Sequence, residues 1–123
     1  MSDSIRIAQL YPDLLGVTGD RGNVDVLATR LRAAGISVEV ALVGIGDELP
    51  ADIDILVLGN GPLSAMRRVA PDLHARGEAI ATMFASGAAV FAVGAGAELL
   101  SHGTVTLDGE RVDPANSRYA QEV

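Results

Sequence analysis

Apolar residues along this chain follow two rhythms, and the rhythms divide it into strands and helices. Residues 5–11 (IRIAQLY) read as a first strand, ended by Pro12 and followed by the loop PDLLGVTG. Asp20 is a helix-capping residue type, and after it Val24, Leu27, Ala28 and Leu31 recur at three- and four-residue intervals. That spacing predicts an amphipathic helix, which Gly35 stops. Residues 36–43 alternate, with Val38, Val40 and Leu42 on one face and Glu39 and Ala41 on the other, as in a half-exposed strand near an edge. Residues 53–58 (IDILVL) are nearly all apolar, which predicts a central strand buried on both faces.

Gly59-Asn60-Gly61-Pro62 is a turn signal, with Pro62 suited to the first position of a helix. Pro71 is expected to interrupt that helix and start a second one, whose inner face comprises Leu73, Ile80, Met83 and Phe84. Ser86-Gly87 ends it, residues 88–93 form a fourth strand, and a short helix runs from Gly94 through Ser101. The segment TVTL-DG-ERV reads as a hairpin turning at Asp108-Gly109. Residues 114–123 are expected to form a loose polar tail outside a domain of residues 1–113. Strands and helices alternate, with connections long enough for parallel pairing. The expected fold is therefore three-layer α/β, flavodoxin-like, with a mostly parallel sheet in the order 2-1-3-4. Helices cover both faces and the hairpin sits at the far edge.

Composition narrows the function. Apolar residues make up 49% of the 123 positions and aromatics 3%, so the core is built from Val, Leu, Ile and Ala. The net charge is −7 and the nine cations, all arginine, are scattered, which excludes the basic patch that nucleic acid or an anionic membrane requires. No apolar run is long enough to span a bilayer, and the acidic start MSDS leads into a strand and not a secretory signal. Cysteine is absent, so no disulfide forms and the cytoplasm is the expected location.

In sheets of this kind ligands bind beyond the carboxyl ends of the strands. Residues 11–23, 59–62 and 94–98 all fall there. In the first segment Asp20, Arg21 and Asn23 lie at a helix start, where they either line a pocket or cap the helix with Arg21 solvated. In the second, the amides of Asn60 and Gly61 suit an oxyanion, or the four residues form a plain turn. The third, FAVGAGAELL, has the layout of a nucleophile elbow, a tight strand-to-helix turn that projects a reactive side chain. Its projecting position is Gly94, which carries none, and Ala95 follows. Glu98 either complements the positive end of the next helix or brings a charge to a ligand site. His74 and His102 have neither metal spacing nor a nucleophile to serve, and no dinucleotide fingerprint or Walker A loop is present. These residues name no catalytic group, no metal and no cofactor.

Residues 10–27 (LYPDLLGVTGDRGNVDVL), the GNGP turn and the elbow helix ending Leu99-Leu100 occur in one order. That order resembles the class I glutamine amidotransferases of the cobyric acid synthase and GatD type. The resemblance implies a glutaminase domain with a cysteine thiolate at the elbow and a distant histidine as base. It also implies that ammonia passes to a synthetase partner, Mur-ligase-like in the GatD type. Carried over by position, the nucleophile falls on Gly94, the oxyanion turn on Gly59, Asn60 and Gly61, and a helix glutamine on Glu98. The departures are the missing cysteine, Ala95 and Ala97 beside the elbow, Thr18 in place of a tyrosine, and a histidine-bearing part expected beyond the hairpin. The expected function is an amidotransferase-like domain without its own glutaminase activity, binding a Mur-ligase-like synthetase or a second copy of itself. The alternatives are part of an active amidotransferase in peptidoglycan or cobalamin-type biosynthesis, and a small anion- or nucleotide-binding module.

Overall fold

A computed structural model describes residues 4–16, 20–100, 104–105 and 111–112 of the chain. Four parallel strands, β1 (Ser4–Leu10), β2 (Ser37–Val43), β3 (Ile55–Leu58) and β4 (Ala89–Ala92), form one sheet in the order β2-β1-β3-β4. The expected order and parallel pairing hold. β1 runs beside β2 from Ser4↔Ser37 to Leu10↔Val43, and beside β3 from Ile7↔Ile55 to Leu10↔Leu58. This register gathers Ile7, Val57 and the partly buried Ile5, Val38, Val40 and Ile55 on one face of the sheet. Helix α1 (Asp20–Ala33) covers that face with Val24, 1% exposed, and the partly buried Leu27 and Leu31. The 3.6-residue rhythm of the sequence thus marks the helix face that packs.

The opposite face carries Ala8, Leu10, Leu56 and Leu58 and is covered by α2 (Leu63–Ala75), α3 (Gly77–Ala85) and α4 (Ala95–Leu100). Met66, Val69, Leu73, Ile80, Leu99 and Leu100 supply the buried contacts. Burying a side chain of this size contributes about 1.5–3 kcal/mol, so this face holds most of the stabilising area. Helix α1 ends in a Schellman motif: the Ile36 N–H reaches Leu31 O at 3.0 Å and the Gly35 N–H reaches Arg32 O at 3.0 Å. Gly35 sits at φ +84°, a conformation that glycine adopts without penalty.

Three expectations need correction. Pro71 does not divide the helix; α2 runs through it to Ala75, and the break falls at Arg76. The proline ring lies on the exposed side, while buried Val69 and Leu73 flank it, so packing on either side holds the helix together. Pro62 stands one residue before the helix, in the capping position, at φ −71° and ψ 165°. The hairpin strands β5 (Thr104–Val105) and β6 (Arg111–Val112) pair antiparallel as a separate two-stranded sheet, with β6 against α2, and do not extend the main sheet. Thr18, Ser101, His102, the Asp108-Gly109 turn and the expected tail lie outside the described residues.

Candidate functional site

β3 and β4 end side by side, and the turns that leave them interlock. The parallel ladder extends past β4 through Val93 N–H to Leu58 O at 3.0 Å, and Gly94 then turns the chain at φ +55°. This is the left-handed conformation of an elbow, which bulkier residues hold only under strain. Gly96 N–H donates to Gly59 O at 3.1 Å, and Glu98 N–H to Gly94 O at 3.0 Å, which opens α4. A side chain at Gly96 would meet Leu58 Cβ and Leu58 O at 2.7 Å and Gly59 O at 2.9 Å. The second glycine of the elbow, Gly96, is therefore required by close backbone approach.

Gly94 is itself exposed, but the direction its side chain would take is occupied. A Cβ built there would collide with Asn60 Oδ1 and come within 2.6 Å of Asn60 Cγ. The same Oδ1 accepts the Ala95 N–H at 2.9 Å, and that contact is part-buried. In an elbow enzyme the amide after the nucleophile donates to the oxyanion of the tetrahedral intermediate. Here a side-chain carboxamide of the protein itself occupies that donor. The β1 loop closes against the neighbouring position, since a Cβ at Gly61 would meet Leu14 O at 2.5 Å and Leu15 Cδ2 at 2.9 Å. Gly59, Asn60, Gly61, Gly94 and Ala95 therefore form one cluster, with residues 14–15 of the first loop packed on it.

Arg21 pairs with Asp25 at 3.3 Å on the outer surface of α1, Asn23 is exposed, and Asp20 opens the helix. Glu98 is exposed in α4, and His74 is exposed in α2. No group of three or more potential metal ligands occurs among the described residues.

A second polar assembly, centred on Asp72, went unmarked in the sequence. It lies under the ends of β1 and β2. Tyr11, 1% exposed and at φ +55°, donates its hydroxyl to Asp72 Oδ2 at 2.5 Å. Arg76 Nε reaches the same oxygen at 2.7 Å, and Gly46 N–H reaches Asp72 Oδ1 at 2.9 Å. Arg76 also donates to Gly44 O at 2.9 Å and Asp47 O at 2.7 Å. Burial and then the Asp72 carboxylate, as hydrogen-bond acceptor and as charge, push the Tyr11 hydroxyl above its ordinary range. Burial alone pushes Asp72 up, but hydrogen bonds from Tyr11, Arg76 and Gly46, with the Arg76 charge, outweigh it and hold the carboxyl low. Asp72 and Arg76 were visible as an i,i+4 pair, a spacing that by itself marks an ordinary helix surface.

No protein-family profile matches this sequence. Among curated proteins it is similar to the GatD subunit of lipid II isoglutaminyl synthase (glutamine-hydrolyzing) of Streptococcus pneumoniae (strain ATCC BAA-255 / R6), at 30% identity over 110 residues. The match covers 89% of this chain and 42% of that relative, so the chain spans less than half the relative's length. Among the described residues no helix is long and apolar enough to cross a membrane.

Proposed function

We propose that this chain is an amidotransferase-like domain that does not itself hydrolyse glutamine and acts by binding a synthetase subunit of the Mur-ligase type. The observation that carries this reading is the Asn60 carboxamide over Gly94, bonded to the Ala95 amide. Amide hydrolysis at an elbow needs an attacking atom and a free donor for the oxyanion. Glycine offers no attacking atom, these 123 residues contain no cysteine, and the donor is engaged by Asn60. The similarity to a subunit of a glutamine-hydrolyzing synthase supports the partner half of the reading. So does β4, which among the described residues pairs only with β3. Its uncharged sequence AVFA leaves Val90 38% and Phe91 48% exposed, and an edge strand of that kind invites association.

Incubation with glutamine is expected to release no ammonia above the buffer rate, whereas mixing with a Mur-ligase-like synthetase is expected to give a co-eluting complex in gel filtration. Ammonia release by this chain alone overturns the first half. Failure to co-elute with the synthetase overturns the second. A chemical probe tests the filled elbow directly. In Gly94→Cys the new thiol is expected to react slowly with a disulfide reagent, and Asn60→Ala added to it is expected to accelerate that reaction. Equal rates in the single and double variants mean that Asn60 does not close the site.

A further inference from the structure

The carboxyl edge of the sheet holds a second feature, above β1 and β2. Residues 11–14 and the turn at Gly44 and Ile45 enclose an open depression of about 270 Å³, with Arg68 of α2 on its rim. Asp13 lines the same depression, and both charged residues are exposed. Among the described residues neither makes an ion pair or a side-chain hydrogen bond, with each other or with any other group. Arg6, Arg21 and Arg76, by contrast, are all paired with carboxylates. The apolar Pro12, Leu14 and Ile45 belong to the same lining, and Ile45 is 45% exposed.

The walls are braced. Tyr11 N–H donates to Val43 O at 2.7 Å, and Tyr11 O accepts from Leu14 N–H at 3.1 Å and Leu15 N–H at 2.7 Å. The Tyr11 hydroxyl ends on Asp72, which also holds the Gly46 amide, while Arg76 holds the Gly44 carbonyl. One anchor thus fixes both sides of the depression. It keeps a bulky residue at positive φ, a conformation that clusters at ligand sites.

We propose that this depression binds a small zwitterion, an amino acid with an aliphatic side chain. Its ammonium meets Asp13, its carboxylate meets the Arg68 guanidinium, and its side chain rests on Pro12, Leu14 and Ile45. A simple anion would face the Asp13 carboxylate, and a simple cation would face Arg68. A ligand carrying both charges is therefore complementary to both groups. The volume lies just under the roughly 300–1,000 Å³ of pockets for drug-sized molecules, which limits the ligand to a small one. This site is separate from the elbow and does not depend on the function proposed for it.

The test is an amide-resonance titration of the intact chain with L-leucine, N-acetyl-L-leucine, L-leucinamide and inorganic phosphate. L-leucine is expected to saturate, perturbing the amides of Tyr11, Asp13, Leu14, Gly44 and Ile45. Each blocked analogue is expected to bind roughly tenfold more weakly, as the loss of one charged hydrogen-bonding group predicts. Asp13→Asn is expected to bring L-leucine down to the level of N-acetyl-L-leucine, and Arg68→Gln to the level of L-leucinamide. Both side chains are exposed and unpaired, so unfolding transitions should not move. The proposal is overturned by the absence of saturable change at millimolar L-leucine, by analogues or phosphate binding as tightly, or by affinity indifferent to both substitutions.

Discussion

Above β1 and β2 the carboxyl edge of the sheet is braced from below and open on top. Above β3 and β4 the direction of a Gly94 side chain is taken by Asn60. In the first region the buried polar groups of Tyr11, Asp72 and Arg76 satisfy one another, and the groups left unpaired, Asp13 and Arg68, face solvent. In the second, the carboxamide of Asn60 turns inward onto the Ala95 amide, at the position from which an elbow side chain would project. The contrast teaches that one sheet edge can stay open at one end while the turns at its other end pack against each other. The difference lies in where polar groups find partners, since both ends have the same layers and strand directions.

The braced end is the easier to break. Asp72→Ala removes a carboxylate whose side chain is 16% exposed and strands Arg76, 10% exposed, with its charge unpaired. Breaking one side of such a pair costs about 3–5 kcal/mol, to be read from urea unfolding at neutral pH. The folded carboxyl is held low, so its contribution is fully present above the unfolded value near pH 4 and is lost as pH falls through the lower folded value. The penalty of Asp72→Ala is therefore expected to shrink in acid, and a penalty that persists there would place the loss in packing instead.

Tyr11→Phe removes one hydroxyl bonded to a charged partner and is expected to cost about 1.5–3 kcal/mol. The folded phenol is raised, so its contribution is complete below about pH 10, where the unfolded tyrosine ionises, and declines as pH rises above that. Wild type should lose stability in that alkaline window relative to Tyr11→Phe. Parallel profiles would mean that the hydroxyl is not held by Asp72.

The filled end is probed by Gly96→Ala. Its Cβ meets backbone oxygens of Leu58 and Gly59, which cannot swing aside, so overpacking should cost about 1–3 kcal/mol. Gly22→Ala serves as the control, because nothing lies within 4 Å of its Cβ and helix propensity alone should stabilise by about 0.5–1 kcal/mol. If both substitutions behave alike, the interlocked turns are looser than their geometry indicates.

One buried group in β1 has no partner. Gln9 is 0% exposed, and neither its Oε1 nor its Nε2 is hydrogen-bonded. Tyr11, two residues on and just past the end of the strand, has its hydroxyl engaged by Asp72. The place of Gln9 two residues after Ile7 puts it on the α1 face of the strand, but nothing in the sequence distinguishes an engaged polar side chain from an orphaned one.

Much of the fold was legible because it follows from local rules. Alternation in β2, the apolar run of β3 and the spacing of Val24, Leu27, Ala28 and Leu31 each reflect a repeat that the backbone imposes on any chain. Connection lengths then allowed parallel pairing, and the expected order 2-1-3-4 is the one observed. Pro71 misled because its cost is local while the packing of Val69 and Leu73 is tertiary. The candidate site was legible only in part: the glycine turns marked where the chain approaches itself, while Arg21 and Asn23 at the start of α1 proved exposed.

The sequence by itself determined that residue 94 brings no reactive atom and that these residues contain no sulfur nucleophile, because composition needs no coordinates. Only the tertiary structure decided that Asn60 takes the vacant direction, that Asp72 is the hub of a partly buried network, and that Asp13 and Arg68 share one depression unpaired. Those outcomes bring together residues as far apart as Asn60 and Ala95, 35 positions, and Tyr11 and Asp72, 61 positions, and the energy of such a contact is set by burial and distance, which no local pattern encodes.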